Sequence, residues 1–123
     1  MSEAEQKKPA CTTGQSDMLN ESCEQPFPAL SPAHVGKLAN VFRLLGDEGR
    51  LKLVLACIET PQPVAALSEA CDLSQSLTSH HLRHLRETRI LKAERRGKQI
   101  FYQLDDFHIR HILQDLACHI LED

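Results

Sequence analysis

The 123-residue chain has no apolar run near the roughly 18 residues needed to cross a bilayer, and Met1 to Asp17 lack the apolar stretch of a secretory signal. These absences point to a cytoplasmic protein without a membrane partner. The five cysteines, Cys11, Cys23, Cys57, Cys71 and Cys118, are odd in number and include no CxxC pair. That argues against a disulfide scaffold and for reduced thiols. There is no glycine-rich phosphate loop, and no nucleophile with a base and an orienting partner at defined spacing, so nothing supports an enzyme.

What is present suits one small folded body. Hydrophobic residues make up 41% of the chain, enough for a single core, so residues 31–123 are expected to form one domain behind a polar N-terminal tail, 1–30, that holds Pro9, Gly14, Pro26 and Pro28. The net charge of −3 conceals a segregation. Asp72 to Leu104 carries seven basic and three acidic residues, whereas Asp105 to Asp123 carries one basic and five acidic. A basic stretch in a mildly acidic chain is what a phosphate backbone responds to, although a solvated Arg/Lys surface has the same composition.

Periodicity and breakers give five helical segments and a hairpin. Ser31-Pro32 starts a first helix, with Val35, Leu38, Phe42 and Leu45 at helical spacing. Asp47 caps a second through Arg50, Leu51, Val54 and Ile58, stopped by Pro61 and Pro63, and a third runs from Val64 to Cys71. Asp72-Leu73-Ser74 is a tight turn into Gln75 to Thr88, whose apolar side is Leu77, Leu82 and Leu85. Two short helices joined in this way form a helix-turn-helix. The outer face of the second offers Gln75, Ser76, Ser79, His80, Arg83 and Arg86, all able to bond base edges or phosphates. Ile90 to Arg95 and Gln99 to Leu104 have strand composition, with Arg96-Gly97-Lys98 as the turn. The expected fold is therefore mainly α with a β-hairpin wing, a winged helix-turn-helix whose basic wing tip holds Arg95, Arg96 and Lys98.

The final helix carries Asp106, His108, His119 and Glu122. His119 and Glu122 are neighbours at i and i+3, while Asp106 and His108 can converge if Asp106 is the N-cap. Eleven residues separate the two histidines, so they return to nearly one face but ~16 Å apart along the axis, too far for one ion. An antiparallel second copy would bring Asp106 and His108 level with the other chain's His119 and Glu122, giving two symmetric N/O sites per dimer suited to zinc or cobalt. Polar residues at the wet edge of a packed helix would have the same pattern. His111 and Asp115 read as facing water, and Cys57 and Cys71 as small buried thiols.

The stretches Leu45-Gly46-Asp47-Glu48-Gly49-Arg50-Leu51, Leu73-Ser74-Gln75-Ser76-Leu77-Thr78-Ser79-His80-His81-Leu82-Arg83-His84-Leu85-Arg86 and Arg95-Arg96-Gly97-Lys98-Gln99-Ile100-Phe101-Tyr102-Gln103-Leu104 resemble the ArsR/SmtB family of bacterial winged-helix repressors. The resemblance covers about residues 32–123. It implies a homodimer that binds double-stranded operator DNA and leaves it when a metal binds. It implies DNA contacts from Ser74, Gln75, Ser76, Ser79, His80, Arg83 and the wing, and a zinc-sensor site at Asp106, His108, His119 and Glu122, with cobalt or nickel as alternatives. Many members carry a cysteine motif at the start of the third helix, but Gln62-Pro63-Val64-Ala65-Ala66-Leu67 has none, which removes the basis for soft-ion sensing there. Cys11 and Cys23 then read as dispensable tail thiols. The competing reading is a thiol-based redox or persulfide sensor of the same fold, using Cys57 and Cys118.

Overall fold

Helix boundaries fall where capping chemistry is available. The computed structural model describes residues 26–122, so the expectations for residues 1–25, with Cys11 and Cys23 among them, lie outside the described part. Helix α1 is Pro32–Leu45, its proline standing where the missing N–H costs nothing. Asp47 then caps α2, Glu48–Ala56, by accepting from the Arg50 backbone N–H at 3.0 Å. Arg50 also donates its Nε to the Leu44 carbonyl at 3.0 Å, so one residue serves the end of α1 and the start of α2.

The helix-turn-helix is α3, Val64–Cys71, and α4, Gln75–Glu87. Asp72 ends α3 in the left-handed region (φ 56, ψ 49), which a short polar side chain tolerates better than most. The turn is clipped from both sides: Leu73 donates its N–H to the Ser68 carbonyl at 3.0 Å, and the Ser68 hydroxyl donates to the Leu73 carbonyl at 2.8 Å. Ser74 caps α4 by accepting from the Leu77 N–H at 3.1 Å.

The core side of α4 differs from the leucine pattern. Leu77 is 42% exposed, and the fully buried residue beside it is Thr78. A threonine can occupy that place because its hydroxyl donates to the Ser74 carbonyl at 2.8 Å, leaving a methyl to pack. His81 also turns inward, to 8% exposure, with Nε2 at 3.9 Å from Asp47 Oδ2. Gly49 permits this approach, since a Cβ there would sit 3.3 Å from Asp47 Oδ2 and 3.6 Å from His81 Nε2. Around them Leu44, Leu53, Val54, Leu67, Leu82, Leu85, Ile90 and Leu91 are almost wholly buried.

The wing is an antiparallel hairpin of β2, Leu91–Arg96, and β3, Gln99–Leu104, in register from Leu91 opposite Leu104 to Arg96 opposite Gln99. Arg96 therefore belongs to the strand, not to the turn as its neighbours suggest, and the loop is only Gly97 and Lys98. Gly97 has φ +65 and Lys98 a negative φ, the pattern of a type II′ turn whose twist matches the strands. A third strand, β1, Gln62–Pro63, pairs with β3 and gives the order β1-β3-β2. Pro63 fits there because an edge strand can dispense with an N–H.

Pro32–Ile112 form one compact unit; residues from Leu113 belong to another and are described only as the rest of the last helix. That helix, α5, is Phe107–Leu121 and buries no residue. No helix among the described residues is long and apolar enough to cross a membrane.

Backbone conformation and burial each yield a stability prediction. Arg89, just past α4, has φ 64, while Ile90 donates its N–H to the Leu85 carbonyl at 2.9 Å in the manner of a glycine-ended helix. Arg89→Gly should raise stability by about 0.5–1 kcal/mol in chemical denaturation, because a Cβ at this φ is disfavoured. For His81, burial lowers the pKa below the ordinary 6.5; Asp47 opposes the shift, and Arg50, His80 and His84 reinforce it. Above the ordinary value both states are neutral. Below it the unfolded chain gains a proton that the folded chain resists, so stability falls on acidification until the depressed folded value is passed. The denaturation midpoint of His81→Gln should change less between neutral and mildly acidic pH than that of the parent; an equal change would remove His81 as the cause.

Candidate nucleic-acid interface and metal half-sites

Helix α4 divides its side chains cleanly between core and solvent. Thr78, His81, Leu82 and Leu85 face inward, while Gln75, Ser76, Ser79, His80, Arg83 and Arg86 are all exposed. The exposed group is a run of donors and acceptors on a helix of a size to enter a major groove. Ser74 is exposed too, but its oxygen already accepts from the Leu77 N–H, so it can offer DNA only its hydroxyl proton and its remaining lone pair. His84 is half-buried between the two faces.

The wing-tip cations are not equivalent. Arg96 donates to Glu94 Oε1 at 3.1 Å and stands 4.9 Å over the Phe101 ring, so its guanidinium is held against the hairpin. Arg95 and Lys98 have no ion pair among the described residues and are fully available to an anion. Composition gives no warning of this difference, because it depends on Glu94 lying two residues back on the same strand and on Phe101, which faces Glu94 across the hairpin.

At the start of α5, Asp106 Oδ1 accepts from the His108 backbone N–H at 2.9 Å, the N-cap arrangement. The same oxygen lies 3.5 Å from His108 Nδ1, with both side chains open to solvent. Two donors sharing one ion at about 2.0–2.2 Å under tetrahedral angles stand about 3.4 Å apart, so this pair already has the separation of two ligands. His119 lies in the last turn of α5, with Glu122 just beyond the helix, both exposed. Among the described residues no three His, Cys, Asp or Glu side chains gather into a metal site within the chain. The four residues thus stand as two pairs at opposite ends of one helix. His111 and Asp115 are exposed.

Arg110, one turn into α5, is not singled out by its sequence context. It donates to the Ile58 carbonyl at 3.3 Å and to Glu59 Oε2 at 3.4 Å, tying the first turns of α5 to the segment between α2 and β1. No local spacing could have revealed a hydrogen bond spanning 52 residues.

Cys57 and Cys71 are poorly placed for thiol chemistry. Cys57 is 1% exposed, and burial, assisted by the nearby Cys71, pushes its thiol up to about 12. Burial raises Cys71 as well. The thiolate is the reactive form, so a redox pair built on Cys57 and Cys118 is disfavoured.

Comparison with known proteins agrees with the fold. Residues 47–93 match the family described as "Bacterial regulatory protein, arsR family". The chain is 35% identical over 86 residues to a transcriptional repressor SmtB homolog of Synechocystis, covering 70% of this chain and 65% of that relative, just under two thirds of its length. It is 31% identical over 83 residues to a cadmium resistance transcriptional regulatory protein CadC homolog of Staphylococcus aureus, covering 67% of this chain and 69% of that one. Its fold superposes on the solution structure of apo-NmtR with a TM-score of 0.66 at 29% identity, over 81% of this chain and 84% of that one. This chain belongs to the arsR family of bacterial regulatory proteins, and it is a winged helix-turn-helix transcriptional regulator, not an enzyme.

Proposed function

We propose that the protein is a cytoplasmic, metal-responsive repressor that binds operator DNA as a homodimer and loses affinity for it on binding zinc, or cobalt or nickel in its place. The observation that carries the metal reading is the Asp106 Oδ1 to His108 Nδ1 separation of 3.5 Å, which suits two ligands of one ion. Asp106 and His108 of one protomer, with His119 and Glu122 of the partner subunit, would hold the ion. Four such ligands leave no open position, the mark of a structural or regulatory site. When bound, the ion supplies a cross-link between the two chains. The names of the relatives, which include a cadmium resistance regulator, support a metal signal, but the donors here are nitrogen and oxygen and favour a harder ion.

Dimerisation is supported by unpartnered apolar stripes. On α1, Val35 is 52%, Leu38 40% and Phe42 51% exposed, although their spacing is that of a buried face. On α5, Ile112, Leu116 and Ile120 recur every four residues and are also exposed. A second copy covering these stripes would place two α4 helices on successive half-sites of DNA. On this reading Gln75, Ser76, Ser79, His80 and Arg83 meet the groove, and Arg95 and Lys98 meet phosphate. Residues 31–123 then act as one DNA-binding and dimerisation domain.

Replacing Arg95 and Lys98 together by alanine should weaken binding to every DNA sequence and lower the slope of log affinity against log salt by about 0.9 for each phosphate no longer neutralised. Arg96→Ala should have the smaller effect, since Arg96 is held by Glu94 and Phe101. An unchanged salt slope in the double variant would show that the wing does not dock on the backbone.

The shared site is tested by complementation. His108→Ala and His119→Ala homodimers each damage both sites, whereas the re-annealed mixture contains heterodimers with one intact site. Metal titration should recover about one tight site per heterodimer, with partial metal-induced release of DNA, because the ~16 Å between the histidines along one helix prevents a single chain from forming it. Stable heterodimers without recovered binding would eliminate the intersubunit arrangement.

A further inference from the structure

The DNA-facing side of α4 carries a second feature, a histidine pair of which the repressor reading uses only His80. His80 and His84 stand at i and i+4, one above the other on the helix, with ring centroids 4.7 Å apart and ring planes at 72°. Neither ring makes a hydrogen bond or ion pair with any described side chain, whereas His81 between them turns inward toward Asp47. We propose that His80 and His84 form a two-imidazole clamp for a divalent ion on the reading face of the recognition helix, and that this ion and DNA exclude each other.

The geometry is nearly that of a shared ion. Two imidazoles bound at about 2.0–2.1 Å under tetrahedral angles hold their centroids about 5 Å apart, close to the separation of these two rings. Helical histidines at i and i+4 are a recurrent way of presenting two ligands on one side. Imidazole donors suit copper, nickel and zinc, with copper bound most tightly. Glu87 lies three residues beyond His84, but the three side chains do not gather, so the chain supplies two ligands and water completes the shell. Two ligands, with Arg83 and Arg86 nearby, make this site weaker than a closed four-ligand one. It fills only at higher metal concentration.

Exclusion of DNA follows from position. His80 belongs to the exposed row with Gln75, Ser76, Ser79 and Arg83, and an ion with its waters between His80 and His84 occupies space that a base-pair edge would need. If the ion weakens DNA binding, DNA weakens ion binding by the same factor. The DNA limb rests on the DNA-binding role proposed above; the metal limb stands on the two rings alone.

The test uses the full-length protein, with His84→Ala and His84→Gln variants and an Asp106→Ala/His119→Ala variant, each checked for helical content by circular dichroism. Cu2+ and Zn2+ are titrated in turn, and Cu2+ broadening of the histidine side-chain resonances locates the ion. The parent should take up one weak equivalent per chain after its tight sites fill. Both His84 variants should lose that equivalent and keep the tight one, and the Asp106/His119 variant should do the reverse. With Zn2+ at about ten times its dissociation constant for the weak site, the Asp106/His119 variant should bind operator DNA about a hundredfold less tightly, about tenfold for each of the two clamps in the dimer, as competition requires. Retention of the weak equivalent in both His84 variants, or broadening centred away from His80 and His84, overturns the clamp. Simultaneous metal and DNA binding without mutual cost overturns the exclusion. Loss of the tight equivalent alone reports on the C-terminal site and leaves the clamp to be judged by its own arm.

Discussion

Ser68 and Ser74 hold opposite ends of the turn between α3 and α4, and nearly everything the chain can present to DNA depends on that turn. Ser68 fixes the turn by donating to the Leu73 carbonyl, and Ser74 starts α4 by accepting from the Leu77 N–H. Once α4 starts at Gln75, helical geometry decides which residues face inward. Thr78, His81, Leu82 and Leu85 dock on the body, and Gln75, Ser79 and Arg83 have no choice but to face out. A start displaced by one residue would rotate the reading face by about 100° and bury an arginine in place of a leucine. Local caps each contribute about 1 kcal/mol, so the register is enforced by their agreement with the core.

The helices, the turn and the hairpin could be read from the chain because they rest on local chemistry: caps, breakers and apolar periodicity. What could not be read depends on partners far away in sequence. Counting leucines put Leu77 inside and missed Thr78, whose burial needs the Ser74 carbonyl to satisfy its hydroxyl. Nothing in the sequence around His81 marks it as buried, yet it lies inward near Asp47, which caps another helix. The two-residue strand β1 is too short for any alternation, and only its pairing with Tyr102 and Phe101 makes it a strand. The Asp106–His108 pair was accessible because capping is a local rule. Arg110 was not, because its acceptors are brought to it by the fold.

Charge follows the same division of labour. The basic residues concentrate on α4 and the hairpin, and the acidic ones on the segment that begins at Asp105. Carboxylates near α4 would repel phosphate, and cations beside Asp106 and His108 would repel a metal ion; the one arginine there, Arg110, is turned to the Ile58 carbonyl and Glu59. Separating the two along the chain lets one small protein carry both kinds of surface without each weakening the other. Arg96 lies against Glu94 and Phe101, while Arg95 and Lys98 remain open to phosphate.

The apolar stripes on α1 and α5 set the scale of the functional unit. Each exposes side chains whose spacing belongs to a buried face, and at about 25 cal/mol for each Å² of apolar surface removed from water, covering several of them outweighs any one local cap or hydrogen bond. The proposed metal site points the same way by a separate route, because Asp106 and His108 would share an ion with His119 and Glu122 only if a second chain supplied half of them. On the proposed reading, hydrophobic burial and coordination both call for a second copy. In such a dimer the two would act differently: burial would set whether the chains associate, and coordination would bias which arrangement of the associated chains prevails. A ligand that favours one arrangement over another can shift DNA binding only by its difference in affinity for the two. Ligands split between chains are well suited to creating that difference, since the ion binds tightly only where both halves meet.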